Sequence, residues 1–386
     1  MSSNTYFFIF GRTPKLAFLE LRAFFSDATL VTPNIAKVHT SEPLLADHWI
    51  RVLGGTIKIA EYKSSASSLD PLSMTSIIER DSDHRTFGVS IYGTIALPKN
   101  LLSDMKQLLE QDGQSVRYVT PHEGQQLTSV VLDKKQVYEI DVIQDGATYL
   151  LAHTIAVQEY ESWNDRDRGR PAADAKSGML PIKVARMIVN IAIGRPLTSE
   201  DTNQKTIYDP FCGMGSVLSE GFVMGARVLG SDVVEEVVLK CKTNMDWIES
   251  RYPGSRGSVA KIFHSDAVHA SQTVAPRSVH AIITEPFMGS TSIVNDSHAT
   301  PEKVKNIIKG LEKLYIGCLK DWKDILAPSG VVLIALPSYT IAHRVYFVKK
   351  VVDMCESLGY TIVDGPIEYS RPNAIVHRNF YLFKKI

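Results

Sequence analysis

Only four cysteines, Cys212, Cys241, Cys318 and Cys355, occur in 386 residues, and they show none of the paired spacings of a zinc site or a disulfide framework. Their thiols are expected to stay reduced. No apolar run reaches the roughly 20 residues that cross a bilayer, and the opening Met-Ser-Ser-Asn lacks the basic segment and apolar stretch of a secretory signal. A cytoplasmic protein with no membrane partner is the expectation. An excess of charge is missing too, since 42 Lys+Arg balance 42 Asp+Glu, which excludes a wholly basic nucleic-acid binder while leaving room for a local basic surface. There is no internal repeat and no long low-complexity tract. With 44% hydrophobic and 22% charged residues the composition is that of a folded globular chain, and its length accommodates two or three units of roughly 100–200 residues.

The first half alternates short β-rich runs with amphipathic stretches, which predicts small α+β modules. Strands are expected at Tyr6 to Phe10, Thr56 to Ala60, Phe87 to Tyr92 and Gln136 to Val142, with helices around Leu16, Leu19 and Phe24 and from Leu101 to Gln111. Ser64 to Ser68 reads as a loop, and the charged run Asn164 to Pro171 as a linker between halves. From about residue 178 the rhythm changes to apolar runs of four to eight residues between longer amphipathic stretches, the pattern of βαβ units around a parallel sheet. Thr206 to Asp209, Arg227 to Asp232, His280 to Thr284 and Gly330 to Ala335 are the expected strands. Lys303 to Leu326 carries one apolar helical stripe, and Thr361 to Val363 with Asn379 to Phe383 predicts an antiparallel pair closing a sheet edge.

The strongest local motif is Asp209-Pro-Phe-Cys-Gly-Met-Gly-Ser216, where an apolar strand ends in an acid and turns through Gly213 and Gly215 into a helix. Glycine lets backbone N–H groups approach a ligand. The motif lacks the Gly-Lys-Ser/Thr of a phosphate-gripping loop, and Leu218 stands where a dinucleotide fingerprint has its third glycine. Asp209 suits a ligand with a cationic amino-acid portion better than a pyrophosphate. Asp232 ends the next strand about 20 residues on, where an acid accepts from ribose hydroxyls, and Asp266 follows another apolar run, placed for an exocyclic adenine amine. Together these describe an adenosine. On the fourth strand, Thr284-Glu-Pro-Phe287 offers Glu285 as an acceptor for an amine, Pro286 as a bend without a donor, and Phe287 as a stacking face.

These motifs, over residues 207 to 289, resemble the Rossmann-like S-adenosylmethionine-dependent methyltransferases that act on exocyclic amines of bases. The preceding Gly178 to Ala192 stretch resembles the cap of the archaeal and eukaryotic tRNA guanine-N2 methyltransferases, and Arg168-Gly-Arg-Pro171 and Phe10 to Leu21 extend the similarity. The resemblance implies a ferredoxin-like and THUMP-like RNA-binding region over 1–160, a linker over 161–177 and a methyltransferase domain over 178–386. It sets Asp209, Pro210, Phe211, Gly213 and Gly215 around the methionine and sulfonium portion of S-adenosylmethionine, Asp232 on ribose, and Asp266 with Ala267 at adenine. Met179 and Pro181 would close over the methionine end. It implies N2-methylation of guanine in tRNA or another structured RNA.

The family usually carries Asp-Pro-Pro-Tyr where this chain has Thr284-Glu-Pro-Phe287. Glu285 with its longer side chain, or Thr284 more weakly, would then receive the target amine. The first 150 residues hold 14 Lys+Arg against 17 Asp+Glu, acidic for an RNA-binding half. Basic candidates are Arg166, Arg168 and Arg170 at the junction, with interdomain salt bridges as the competing reading, and Arg371 and Arg378 in a late loop. The alternatives within reach of the sequence are a methyltransferase for another base amine in rRNA or DNA, and a catalytically inactive RNA-binding relative.

Overall fold

The computed structural model describes residues 4–78, 86–111, 115–172, 179–194, 204–289, 300–341, 343–370 and 374–386. The chain forms two compact units, Met1–Ser162 and Trp163–Ile386.

The first unit is built on one mixed eight-stranded sheet. In chain order it contains β1 (Asn4–Phe10), α1 (Pro14–Arg22), β2 (Thr29–Thr32), β3 (Ile35–Thr40), α2 (Ala46–Val52), β4 (Thr56–Ala66), α3 (Pro71–Thr75), β5 (Thr86–Tyr92), α4 (Leu101–Gln111), β6 (Arg117–Val119), α5 (Ser129–Lys135), β7 (Val137–Asp145) and β8 (Thr148–Val157). The strand order is β2-β3-β1-β4-β8-β7-β5-β6, with β5 parallel to β6 and β7 and the other pairs antiparallel. The small modules expected from the sequence therefore share one sheet. Tyr6 to Phe10 are all buried, as befits an interior strand covered on both faces. The expected loop Ser64 to Ser68 is a correction: Ser64, Ser65 and Ala66 continue β4 and pair with Leu151, Leu150 and Tyr149. Small polar residues there read as a turn locally, but the neighbouring strand supplies the ladder.

A buried polar cluster crosses this sheet. Lys58 Nζ lies 2.6 Å from Glu139 Oε1, which also accepts from the Ser90 hydroxyl. Thr154 Oγ1 is 2.7 Å from Glu139 Oε2 and 2.6 Å from Asp141 Oδ2. One hydroxyl has one proton, so two ionised carboxylates cannot both be satisfied by it. Burial, then the charge of Glu139, push Asp141 well above the usual carboxylate range, so Asp141 keeps its proton and donates to Thr154, which donates to Glu139. A raised carboxyl contributes stability that is full below its unfolded value, near 4, and is lost as pH rises toward the folded value. Asp141→Asn, which retains a donor, is expected to lose less of its denaturation midpoint between pH 5 and pH 8 than the wild type does. Urea melts at the two pH values check this; parallel declines would overturn it.

The second unit contains the end of α6 (Tyr160–Arg168), in which the division falls, and then α7 (Ile182–Ile193), β9 (Thr206–Asp209), α8 (Ser216–Val223), β10 (Arg227–Asp232), α9 (Glu235–Arg251), β11 (Ser258–His264), a 3₁₀ segment (Ala267–Gln272) and β12 (Val279–Thr284). There follow α10 (Pro301–Ile325), β13 (Leu326–Ile341), β14 (Arg344–Phe347), α11 (Lys349–Asp353), β15 (Tyr360–Tyr369) and β16 (Val376–Lys385). The sheet runs β11-β10-β9-β12-β13-β16-β15, with β14 paired to the far end of β13. The first five strands of that order are parallel, and β16 and β15 close the edge antiparallel, as the sequence predicts. In α10 the expected stripe is core: Val304, Ile308, Leu311, Tyr315, Cys318, Leu319 and Trp322 are buried. Thr300 caps that helix and Pro301 occupies its first turn, where a missing N–H costs nothing. All four cysteines are buried and unpaired.

The run expected as a linker is a second correction. Tyr160–Arg168 is a helix whose Trp163 and Arg166 are buried, and Arg170 beyond it is buried as well. Its polar composition disguised a segment held by ion pairs and ring contacts instead of aliphatic packing.

Candidate active site

Parallel pairing brings the C-terminal ends of β9, β10, β11 and β12 to one sheet edge, the place where open α/β sheets bind ligands. At the end of β9, Cys212 N–H donates to Ser231 O (2.9 Å) and Gly215 N–H to Cys212 O (2.8 Å), closing a tight turn into α8. Gly213 has φ +50° and Gly215 φ +85°, the left-handed region that favours glycine. A Cβ on Gly215 would also meet Cys241 Sγ at 3.0 Å, whereas one on Gly213 would meet only Phe211 O at 4.0 Å. The turn is therefore closed toward the core and open at Gly213.

Asp232 accepts from Gly213 N–H through Oδ2 (3.2 Å) and from Val234 N–H through Oδ1 (3.0 Å), so it is fixed against the turn with lone pairs remaining on both oxygens. Asp266 caps the 3₁₀ segment through Val268 N–H at 3.1 Å and keeps an exposed carboxylate. Ala267 beside it is buried, its carbonyl accepting from Trp322 Nε1 at 2.9 Å.

Asp209 is only 3% exposed, and its Oδ1 accepts from both Phe211 N–H (3.1 Å) and the Thr284 hydroxyl (2.7 Å). Burial pushes its carboxyl up to about 7 despite those two donors. Thr284 is fully buried and gives its proton to Asp209, which corrects the expectation that it receives the target amine: its hydroxyl is already committed inside the core. Thr284 instead ties β12 to β9 across a strand pair.

The loop after β12 is held from behind. Tyr315 O–H donates to Phe287 O at 2.6 Å and Tyr339 O–H to Met288 O, while Pro286 is buried. Phe287 is left 57% exposed, a large aromatic presented to solvent by a fixed backbone. Arg378 reaches Glu285 Oε1 with both Nε and Nη2 at 2.6 Å. Its guanidinium also lies 5.9 Å from the Tyr369 ring. Both members of this pair are more than four-fifths buried, so Arg378 orients the Glu285 carboxylate and is not the freely solvated phosphate contact expected of it.

Arg166 and Arg170 likewise turn inward. Glu220, 0% exposed on α8, takes Arg166 Nε at 2.9 Å on Oε1 and lies 2.6 Å from Arg186 Nη2 through Oε2, while both guanidiniums lie over the Trp163 ring at 4.4 and 5.3 Å. The Arg186 contact has ion-pair distance without hydrogen-bond angles. Arg170 Nη1 reaches Ser216 Oγ at 3.1 Å and Met214 O at 3.5 Å, and Asn244 Nδ2 bridges Ala172 O and Met214 O at 2.8 and 2.9 Å. The stretch after α6 thus braces the glycine turn, and neither Arg166 nor Arg170 is available to RNA phosphate. The competing salt-bridge reading fits Arg166, but its partner Glu220 lies in the same unit and not across a domain boundary. Arg168 is exposed, and Arg371 lies outside the described residues. Met179 and Pro181 are half-buried at the start of α7, with Met179 Sδ 4.0 Å from Arg170 Nη2. Asp167 Oδ1 accepts from Ile182 N–H (3.2 Å) there.

Sequence reasoning missed Glu220, Asn244, Tyr315 and Tyr339. For Glu220 a signal existed: it is a lone charge in an otherwise apolar helix, a pattern that requires a buried counter-charge. No group of ligating side chains able to hold a metal occurs among the described residues.

This unit has the Rossmann-like methyltransferase fold. No family model matches the chain. It is 27% identical over 206 residues, 53% of its length, to a tRNA (guanine(10)-N2)-dimethyltransferase of Pyrococcus abyssi, of which 50% is covered. It is 29% identical over 192 residues, 50% of its length, to a tRNA (guanine(10)-N2)-dimethyltransferase of Methanothermobacter thermautotrophicus, of which 48% is covered. The chain therefore spans about half the length of the curated relatives it matches. The crystal structure of TrmN from Thermus thermophilus aligns with 99% of this chain and 100% of its own at a TM-score of 0.58 and 14% identity, a likeness of fold.

Proposed function

We propose that this chain transfers a methyl group from S-adenosylmethionine to the exocyclic N2 amine of guanine in tRNA. The observation that carries the reading is the convergence at one sheet edge of an open glycine turn, two ligand-accessible acids and a carboxylate beside an exposed aromatic ring. The residues fit the cofactor, because the Gly213 side of the turn is open to a ligand and Asp232 retains acceptor capacity for two hydroxyls. Asp266 with Ala267 would hold the adenine and Met179 and Pro181 the methionine end. When bound, the cofactor supplies a sulfonium-activated methyl group. Phe287 stacks on the guanine, Glu285 accepts from the N2 amine and aims its lone pair, and Arg378 keeps that carboxylate in place. Methyl transfer needs in-line positioning more than a strong base, so fixing Glu285 and the loop carbonyls is the larger contribution of the protein. The first unit is read as the ferredoxin-like and THUMP-like RNA-binding region, with Arg168 as a remaining basic contact, and 178–386 as the catalytic domain. A cytoplasmic setting and structured RNA as partner follow from that reading.

The test is incubation with methyl-labelled S-adenosylmethionine and unmodified total tRNA, with rRNA and DNA in parallel, then digestion to nucleosides. N2-methylguanosine from tRNA is expected. Label in another nucleoside replaces the substrate, and no label despite cofactor binding overturns the enzyme reading in favour of an inactive relative.

Asp209 gives a pH signature. Its carboxyl holds a proton up to about pH 7 and is ionised above it. A ligand with a cationic ammonium at this position gains attraction only with the ionised form, so affinity for S-adenosylhomocysteine should rise about tenfold from pH 6 to pH 8. Calorimetric titration of wild type and Asp209→Asn checks it. A rise that persists in the variant would assign the effect elsewhere.

A further inference from the structure

A cavity of about 240 Å³ opens among the far ends of β13, β14, β15 and β16, lined among others by Ser338, Phe347, Glu368, His377, Asn379 and Tyr381. Its walls are the same strands that fix the target loop. On β16, Arg378 reaches Glu285 while its neighbours His377 and Asn379 line the cavity; on β13, Tyr339 reaches the Met288 carbonyl while Ser338 lines it. Side chains alternate along a strand, so one face of this extension serves the Glu285 loop and the other encloses the cavity.

The lining has aromatic rings and open polar atoms. Phe347 and Tyr381 are stacked, with centroids 6.0 Å apart and planes at 26°. Asn379 spends Nδ2 on Leu336 O (3.2 Å) and Ser338 Oγ (3.0 Å), and its Oδ1 has no partner among the described residues. Glu368 Oε1 accepts from Ser370 Oγ (3.2 Å) and lies 3.2 Å from His377 Nδ1, an ion-pair distance without a hydrogen bond; neither Oε2 nor the Tyr381 hydroxyl has a partner among the described residues. The open carbonyl and carboxylate oxygens are acceptors and call for N–H donors. The carboxylate disfavours a phosphate, and the aromatic pair favours a flat ring.

We propose that this cavity is a second nucleobase site, taking a base that bears an exocyclic amine. This rests on the reading of the chain as an RNA-modifying enzyme for its context, with the base expected from the RNA beside the target guanine. Loss of a stacked base is expected to read as about a tenfold change in affinity, about 1.4 kcal/mol.

Two exposed substitutions test it without touching the Glu285 loop. Val345→Trp, at a residue 69% exposed on the cavity wall, fills the mouth, and Glu368→Gln removes the carboxylate. Both are expected to raise KM for tRNA about tenfold and leave kcat unchanged. NMR with GMP, AMP, CMP and UMP at millimolar concentration should show saturation transfer to each base, weakest for UMP, that Val345→Trp abolishes. GMP that raises the apparent KM for tRNA identifies the occupant as a base of the RNA. Saturation transfer to GMP that disappears in Val345→Trp, with KM for tRNA unmoved, identifies a free nucleotide in the same site. Unchanged KM together with saturation transfer that is absent or survives Val345→Trp overturns the site. If the wild-type protein methylates no nucleic acid, the functional reading fails, and the nucleotide NMR alone decides the cavity.

Discussion

Glu220→Gln is expected to destabilise the second unit by about 3–5 kcal/mol, because it leaves the Arg166 and Arg186 guanidiniums buried without their shared counter-charge. Against a typical domain stability of about 5–15 kcal/mol, this is enough to populate the unfolded form at 37 °C. Trp163 cannot replace the carboxylate, since a desolvated cation over an aromatic face is worth about 2 kcal/mol. Denaturant melts of the whole chain, followed by Trp fluorescence, measure the loss. A change below about 1 kcal/mol would show that water reaches the cluster. The effect should extend to ligand binding: Glu220 sits on α8, the helix that opens directly from the glycine turn, and the stretch carrying Arg166 and Arg170 also braces Met214. A variant replacing Arg166, Arg186 and Glu220 together by Met should recover part of the stability, because a buried cluster exchanged for apolar volume removes the charges as well as their partner.

On the proposed function, Glu285→Ala is expected to lower kcat for RNA methylation by about 10²–10³-fold, the range for loss of a positioned acceptor or donor at a reacting group. Glu285→Gln should fall between, since its amide still offers one acceptor oxygen. Affinity for S-adenosylhomocysteine should stay within twofold in both, because Asp232 ends β10 and Asp266 follows β11, apart from the β12 loop that carries Glu285. Equal turnover by all three proteins would remove Glu285 from the chemistry. Arg378→Ala should reproduce most of the kcat loss, leaving the salt dependence of RNA binding unchanged; a contact to phosphate would reduce that slope by about one. This comparison separates an arginine that orients a carboxylate from one that grips the backbone of the RNA.

Both predictions concern contacts that the sequence did not announce, whereas the framework carrying them was legible. Strand ends at Asp209, Asp232 and Thr284 and the stripe on α10 were readable because apolar periodicity and turn residues are local properties. Leu101–Gln111 was readable for the same reason. Ser64–Ala66 and the run from Asn164 to Pro171 were misread because their composition is polar, and order there comes from a partner strand in one case and buried ion pairs in the other.

The sequence by itself determined the order of elements, the two-part division of character along the chain, and which strand ends carry acids and glycines. Tertiary structure alone decided what those groups do. Arg378 and Glu285 are 93 positions apart, Thr284 and Asp209 are 75 apart, and Arg166 and Glu220 are 54 apart. The physical reason is that a charge or hydroxyl states what it needs but not who supplies it. Only packing brings the partner into reach, so the same arginine reads alike on a surface and in a core until its neighbour is seen.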